Sequence, residues 1–93
     1  MQEEYNNKRQ KLIFALANIV KKHRLSQQKS ISRISAEILM TKSMWQTLEA
    51  GKKDPQFSTL FRVCEALNIT LTDLDKELKE IMGNNFSLTG LSD

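Results

Sequence analysis

Apolar residues along this chain recur three and four positions apart, and β-branched residues nowhere alternate over four or more positions as in a half-buried strand. In the first segment, about 5–23, Leu12, Leu16, Ile19 and Val20 form the inward stripe of an amphipathic helix. The chain has 93 residues, which suits one domain and is too short for a TIM barrel, a doubly wound nucleotide-binding domain or a two-domain enzyme. The spacing therefore predicts a single all-α domain.

Capping residues divide the rest of the chain into four short helices. A hydroxyl side chain stands where three of them begin, and Gly or Asn stands where three of them end. We predict helices over about 30–38, 42–50, 58–67 and 71–83, as one domain over 1–83 followed by a tail, 84–93, that is flexible or ordered by a partner. The predicted N-caps are Ser30, Thr41 and Thr70, and the predicted stops are Gly51, Asn68 and Gly83.

Several classes of protein are excluded by what the sequence contains. The single cysteine, Cys64, allows neither an internal disulfide nor a Cys-cluster zinc site, so a reduced, cytoplasmic setting is expected. The longest low-charge run, 12–20, is shorter than a membrane span, and the first residues carry no apolar block typical of a secretory signal. The one histidine, His23, and the absence of a Gly-rich phosphate loop or of metal-ligand spacing argue against an enzyme, and no cofactor is expected.

Charge is distributed unevenly along the chain. Residues 1–53 carry eleven Lys or Arg and four Asp or Glu, a net charge of +7, whereas residues 54–93 carry three and seven, a net charge of −4. A basic half favours a polyanionic partner such as nucleic acid, although it supplies no specificity.

The third predicted helix carries the most informative pattern. Burial of Trp45 and Leu48 is worth a few kcal/mol, so we expect both side chains to face inward. The 100° helical spacing then turns the polar residues of this helix outward, where amides and lysines could contact base edges in a DNA major groove. These outward residues are Lys42, Ser43, Gln46 and Thr47, followed at once by Lys52 and Lys53.

Residues 30–74 contain a specific run, "LEAGKKDP…STL…ALNI…DL". On this run the chain from Ser30 to Leu74 resembles, without a gap, the helix-turn-helix domain of the Cro and phage-repressor-like (Xre) family, and the resemblance covers about half of the chain. The matching positions are Ser35, Met40-Thr41, Leu48 to Lys52, Asp54-Pro55, Thr59-Leu60, Ala66 to Ile69 and Leu71 to Leu74.

The resemblance implies a compact five-helix domain with a helix-turn-helix core at 30–50, whose third helix, 42–50, enters the major groove. Its implied base-contacting residues are Lys42, Ser43, Met44, Gln46 and Thr47, with Met44 touching a thymine methyl. Its implied phosphate-contacting residues are Ser30 and Ser32, through the backbone N–H groups around them, and Lys52 and Lys53. The resemblance also implies that Glu49 pairs with a basic residue of the first helix. Lys21, Lys22 and Arg24 are all candidates for that residue.

Two positions depart from the family pattern. Leu39 stands where the family usually has Gly in the turn, and a left-handed backbone there would cost Leu about 1–2 kcal/mol. Ile31 stands where a glutamine often opens the second helix, whereas Gln27 lies four positions earlier. The second helix could therefore begin at Ser26 or at Ser30, and we prefer Ser30 because it needs no insertion.

The sequence thus predicts a sequence-specific transcriptional regulator that binds double-stranded DNA, most simply a repressor. It is expected to act as a homodimer, since one monomer of this size contacts only one half-site. The expected dimer contacts are Leu78, Ile81 and Met82 with the tail, together with the first helix in one version. The alternative is an antitoxin or protein-interaction module of the same fold, because Ile13, Phe14 and Ala17 widen the apolar stripe of the first helix. That wide stripe equally suits a helix packed on two sides within its own domain.

Overall fold

The structure is a computed structural model that describes residues 2–91. Over these residues the chain forms five helices and no strand, which confirms the all-α prediction. The helices are α1 (Gln2–Ser26), α2 (Ile31–Glu37), α3 (Lys42–Glu49), α4 (Phe57–Leu67) and α5 (Leu71–Met82). None of the helices in the described part of the chain is both long and apolar enough to cross a membrane.

One hydrophobic core holds the five helices together. Trp45, Ile34 and Val63 are 0% exposed, and Ile19 and Val20 of α1 are 1% exposed. The long helix α1 packs against α3, α4 and α5, while α2 packs against α3 and α4. Because each such side chain contributes about 1.5–3 kcal/mol when buried, this cluster fixes how α3 sits against the rest of the domain.

Helix α1 is longer at both ends than the predicted 5–23, since it runs from Gln2 to Ser26. No Gly or Pro interrupts it, and its first turn carries Glu3 and Glu4, whose charges suit the positive end of the helix dipole. Ile13 and Ala17 are buried within the domain, whereas Phe14 is 51% exposed. Packing on more than one side therefore accounts for most of the width of its apolar stripe.

The second helix begins after Ser30, as preferred from the sequence. The Ser30 hydroxyl accepts a hydrogen bond from the Arg33 backbone N–H at 3.1 Å, which is the geometry of an N-cap. The alternative start at Ser26 is wrong, because Ser26 is the last residue of α1.

The two later N-caps also agree with the sequence. Thr41 caps α3 by accepting the Met44 N–H at 3.1 Å. Thr70 and Asp73 form the predicted capping box, in which the hydroxyl accepts one backbone N–H at 3.0 Å and the carboxylate accepts the other at 2.9 Å. Five bounds of the four short helices differ from the predicted ones by a single residue, since α2 runs from Ile31 to Glu37, α3 ends at Glu49, α4 begins at Phe57 and α5 ends at Met82.

The turn between α2 and α3 contains a residue in the left-handed region. Leu39 has φ +57° and is 91% exposed, so its side chain gains almost nothing from packing. The Met40 N–H donates to the Ser35 carbonyl at 2.9 Å, which closes the C-terminal end of α2. The turn therefore has the left-handed backbone at which the family that the sequence resembles usually carries Gly.

The chain after α5 folds back onto the domain as far as the structure describes it. Phe86 and Leu88 are half-buried and line a cleft with Leu12 and Leu78. Ser92 and Asp93, which belong to the predicted tail 84–93, lie outside the described residues. Ordering of this tail by a partner stays a prediction.

Candidate nucleic-acid interface

The rotation of α3 about its axis is fixed by Trp45. Its side chain is 0% exposed, and its indole N–H donates to the Glu49 carboxylate at 2.5 Å. Leu48 lies on the same inward side and is 3% exposed. The indole therefore points into the protein, as the sequence predicts, and the opposite side of α3 faces solvent.

The outward side of α3 carries the polar residues singled out from the sequence. Lys42, Ser43 and Gln46 are exposed, and Met44 is 40% exposed beside them. Thr47 is half-buried at the edge of this strip, and its hydroxyl donates to the Ser43 carbonyl at 2.9 Å. The strip thus offers an ammonium, a hydroxyl, an amide and a thioether to any partner that lies along α3.

Glu49 pairs with Arg24, which resolves the competition among the three basic residues at the end of α1. The guanidinium donates to both carboxylate oxygens, from Nε at 2.6 Å and from Nη2 at 3.0 Å, and its Nη1 donates to the Lys29 carbonyl at 2.9 Å. The two side chains are 10% and 7% exposed. The Glu49 hydrogen bond, opposed by burial, raises the pKa of Arg24 above its ordinary value, so the guanidinium keeps its charge. The hydrogen bonds between the two side chains anchor α3 to α1.

A groove joins the outward side of α3 to the loop between α3 and α4, residues 50–56. It has a volume of about 400 Å³. The residues that line it include Ser43, Met44, Thr47, Lys53, Gln56 and Thr59. The loop and the strip on α3 therefore form one continuous surface.

Three lysines on this surface are free of carboxylates. Most basic residues of α1 are neutralised, for example Arg9 by Asp54 at 3.0 Å and Lys22 by Glu77 at 2.5 Å. By contrast, Lys42, Lys52 and Lys53 form no salt bridge within residues 2–91, and all three are exposed. Lys11, Lys21, Arg62 and Lys76 also form no salt bridge in the described part of the chain. Three of these seven uncompensated positive charges therefore lie on and just after α3.

The two serines predicted to lie near phosphate are at the start of α2. Ser30 and Ser32 are both exposed. The Ser30 hydroxyl is engaged as the N-cap, so any contact from this residue to an anion would use backbone groups, as expected from the resemblance. Their role in phosphate binding stays a prediction.

Two residues of α1 that the sequence did not single out contact the loop 50–56. Gln10 donates from Nε2 to the Gly51 carbonyl, and Arg9 donates from Nε to Asp54, each at 3.0 Å. No local signal marks these residues, because their partners lie 41 and 45 positions away in the sequence. Gln27, whose role the sequence left open, donates to the Leu67 carbonyl at 2.9 Å and so ties the α1–α2 connection to the end of α4.

The side chains of His23 and Cys64 do not contribute to this surface. His23 shares a 2.7 Å hydrogen bond with Glu77. Cys64 is 4% exposed, and burial raises the pKa of its thiol, which disfavours the reactive thiolate. No group of three His, Cys, Asp or Glu placed to hold a metal ion occurs among residues 2–91.

Comparison of the chain with protein-family models, with curated proteins and with solved structures gives no match.

Proposed function

We propose that this chain is a sequence-specific, double-stranded-DNA-binding transcriptional regulator, most simply a repressor, with the helix-turn-helix fold of the Cro and phage-repressor-like (Xre) class. The observation that carries the proposal is the complete burial of Trp45, which leaves the polar side of α3 exposed. In this proposal α2, the turn 38–41 and α3 form the helix-turn-helix, and α3 enters the major groove.

Base recognition is assigned to the outward strip on α3. The major groove is wide enough for a helix, and each base pair presents a distinct set of donors, acceptors and methyl groups there. Lys42 suits guanine O6 and N7, and the Gln46 amide suits the N6 and N7 atoms of adenine. Ser43 and Thr47 supply hydroxyls at the same surface, and Met44 supplies an apolar contact for a thymine methyl.

Phosphate contacts are assigned to the flanks of α3. Lys52 and Lys53 follow it directly and have no carboxylate partner in the described part of the chain. The backbone around Ser30 and Ser32 is the second assigned contact, on the helix that precedes α3. Such contacts set the register on the duplex and make the affinity dependent on salt, but they carry no sequence information.

The proposed regulator acts as a homodimer that spans two half-sites about 34–36 Å apart. Of the three residues expected at the dimer interface, Ile81 is 53% exposed, whereas Leu78 and Met82 lie beside the folded-back tail. Ile81 is therefore the first position at which to test this interface.

A protein-interaction module is the second candidate function, and a specific observation favours it. Phe57 and Phe61 on the outer side of α4 are 68% and 48% exposed, with ring centroids 6.4 Å apart. Aromatic residues are enriched at protein interfaces relative to the rest of the surface. An antitoxin that holds its toxin through this pair would use the same fold without depending on the α3 strip.

Selection of bound duplexes from a random pool separates the two candidates. A DNA-binding regulator should enrich a symmetric site with two half-sites one helical turn apart. The matched control is the variant Gln46→Ala, Lys42→Ala, which should lose the enriched sequence while staying helical. A pool that shows no enrichment with the unmodified chain, together with a stable complex with a co-expressed protein that Phe61→Ala disrupts, would overturn the regulator assignment.

A further inference from the structure

The loop between α3 and α4 is fastened to α3 only at its beginning. The Gly51 N–H donates to the Leu48 carbonyl at 3.1 Å, and the Lys52 N–H donates to the Thr47 carbonyl at 3.2 Å. Among residues 2–91, neither Lys53 nor Asp54 donates a comparable backbone hydrogen bond. The second half of the loop therefore needs another support to hold its lysines in one place.

Three side chains of α1 supply that support. Gln10 holds the Gly51 carbonyl and Arg9 holds the Asp54 carboxylate, each at 3.0 Å. The ring of Phe14 lies against Gly51, so closely that a Cβ at position 51 would overlap it. Gly51 also has φ +69°, so its backbone shape and this close approach both require glycine.

The ion pair between Arg9 and Asp54 adds little to the stability of the fold. Arg9 and Asp54 are 43% and 52% exposed, and exposed ion pairs of this kind contribute little to folding. The geometric effect of the three α1 contacts is larger, because they hold both ends of a segment that contains two uncompensated lysines. Asp54 would otherwise present a carboxylate directly beside Lys53.

We propose that Arg9, Gln10 and Phe14 are positioning residues, which hold Lys52 and Lys53 where they meet the phosphates of a DNA duplex without touching the duplex themselves. This inference rests on the proposed function and deepens it, because it makes the first half of α1 part of the binding apparatus. We refer to these three residues with Gly51 and Asp54 as the α1 clamp.

The decisive variant is Asp54→Ala, because two accounts predict opposite signs for it. If Asp54 only weakens the positive field of the loop, removal of its charge should raise the affinity for a polyanion. If the α1 clamp positions the loop, the same change should lower the affinity, by about three- to ten-fold. Asp75→Ala is the matched control, since Asp75 pairs with Lys79 at 3.1 Å on exposed α5, far from the loop in sequence.

A neutral variant completes the test. Gln10→Ala changes no charge, and the clamp predicts about the same three- to ten-fold loss of affinity, equally for the selected site and for random duplex. Asn7→Ala, one turn earlier on an exposed part of α1, is its control and should bind as the unmodified chain does.

A second measurement follows the loop in the absence of DNA. Amide hydrogen exchange at Gly51 and Lys52, whose N–H groups donate to α3, should become faster in Gln10→Ala and in Asp54→Ala, while exchange in the core of α4 stays unchanged. A structural role in the core alone would not produce this local change.

The outcomes are distinguishable. If the unmodified chain binds duplex but Asp54→Ala behaves like Asp75→Ala, or if exchange at the loop does not change in Gln10→Ala, positioning by the α1 clamp is overturned and the proposed function stands. If the unmodified chain binds no duplex under any salt condition, the proposed function falls and takes the DNA role of the clamp with it.

Discussion

Arg24 at the end of α1 and Glu49 at the end of α3 form a bidentate ion pair, although they are 25 positions apart in the sequence. Their side chains are 10% and 7% exposed. The same carboxylate accepts the indole N–H of Trp45. Trp45, which orients α3, is therefore hydrogen-bonded to Glu49, which anchors α3 to α1 through Arg24.

Removal of one partner of this pair should destabilise the fold strongly. Arg24→Ala leaves the Glu49 carboxylate buried without its counter-charge, and we expect the free energy of unfolding to fall by about 3–5 kcal/mol. Urea denaturation followed by circular dichroism measures this loss. The control is Arg33→Ala, whose 3.7 Å contact with Glu37 is more exposed and should be worth less than about 1 kcal/mol. Equal losses in the two variants would show that the buried pair does not anchor α3.

Relief of the backbone strain at Leu39 should raise the free energy of unfolding. Leu39→Gly should stabilise the domain by about 1 kcal/mol, because the left-handed backbone penalises any side chain and this one is almost entirely exposed. Leu39→Ala keeps the Cβ and should leave the free energy of unfolding nearly unchanged. Thermal unfolding of the three proteins in one buffer checks the ranking. A destabilised Leu39→Gly would mean that the exposed side chain makes contacts that the structure does not show.

Lysines at different places should affect DNA binding differently. Lys52→Ala should weaken binding to selected and random duplexes alike and reduce the slope of log affinity against log salt by about 1. The control is Lys76→Ala, which removes the same charge from an exposed residue of α5, outside α3 and the loop 50–56. Fluorescence anisotropy titrations at three salt concentrations measure both slopes. Indistinguishable slopes for the two variants would remove Lys52 from the interface.

Acid sensitivity should involve the capping box of α5. Hydrogen bonds from the Thr70 backbone and side chain hold the pKa of Asp73 below its ordinary value. The unfolded chain therefore binds the proton more readily, so this contribution to stability is complete above about pH 5 and is lost as the pH falls through the lowered pKa. Urea midpoints measured between pH 6 and about pH 3 should fall less steeply in Asp73→Asn than in the unmodified protein. Parallel curves for the two proteins would rule out this contribution.

Local chemistry made several parts of the fold predictable from the sequence. The N-caps at Ser30, Thr41 and Thr70 depend on hydrogen bonds within one turn, so the residue types alone indicate them. The inward side of α3 follows from the size of Trp45 and the helical period. The bounds of α1 were predicted less well, because no Gly or Pro marks where this polar helix begins or ends.

Long-range contacts were not predictable in the same way. Three basic residues near the end of α1 carry suitable charge for Glu49, and only the packed structure selects Arg24 among them. The contacts of Arg9 and Gln10 with the loop join residues more than 40 positions apart, and nothing in the adjacent sequence distinguishes them from other polar residues of α1. Local patterns in the sequence therefore predict the order of the helices, whereas only the tertiary structure shows which residues support the loop 50–56.

A nuclear magnetic resonance titration with a selected duplex tests whether the outward strip of α3 lies against DNA bases. We expect the largest changes in backbone amide signals on Lys42, Ser43 and Gln46, while the signals of Phe57 and Phe61 on the outer side of α4 stay in place at one half-site per protomer. Changes confined to the outer side of α4, with the signals of α3 unmoved at saturating duplex, would contradict it.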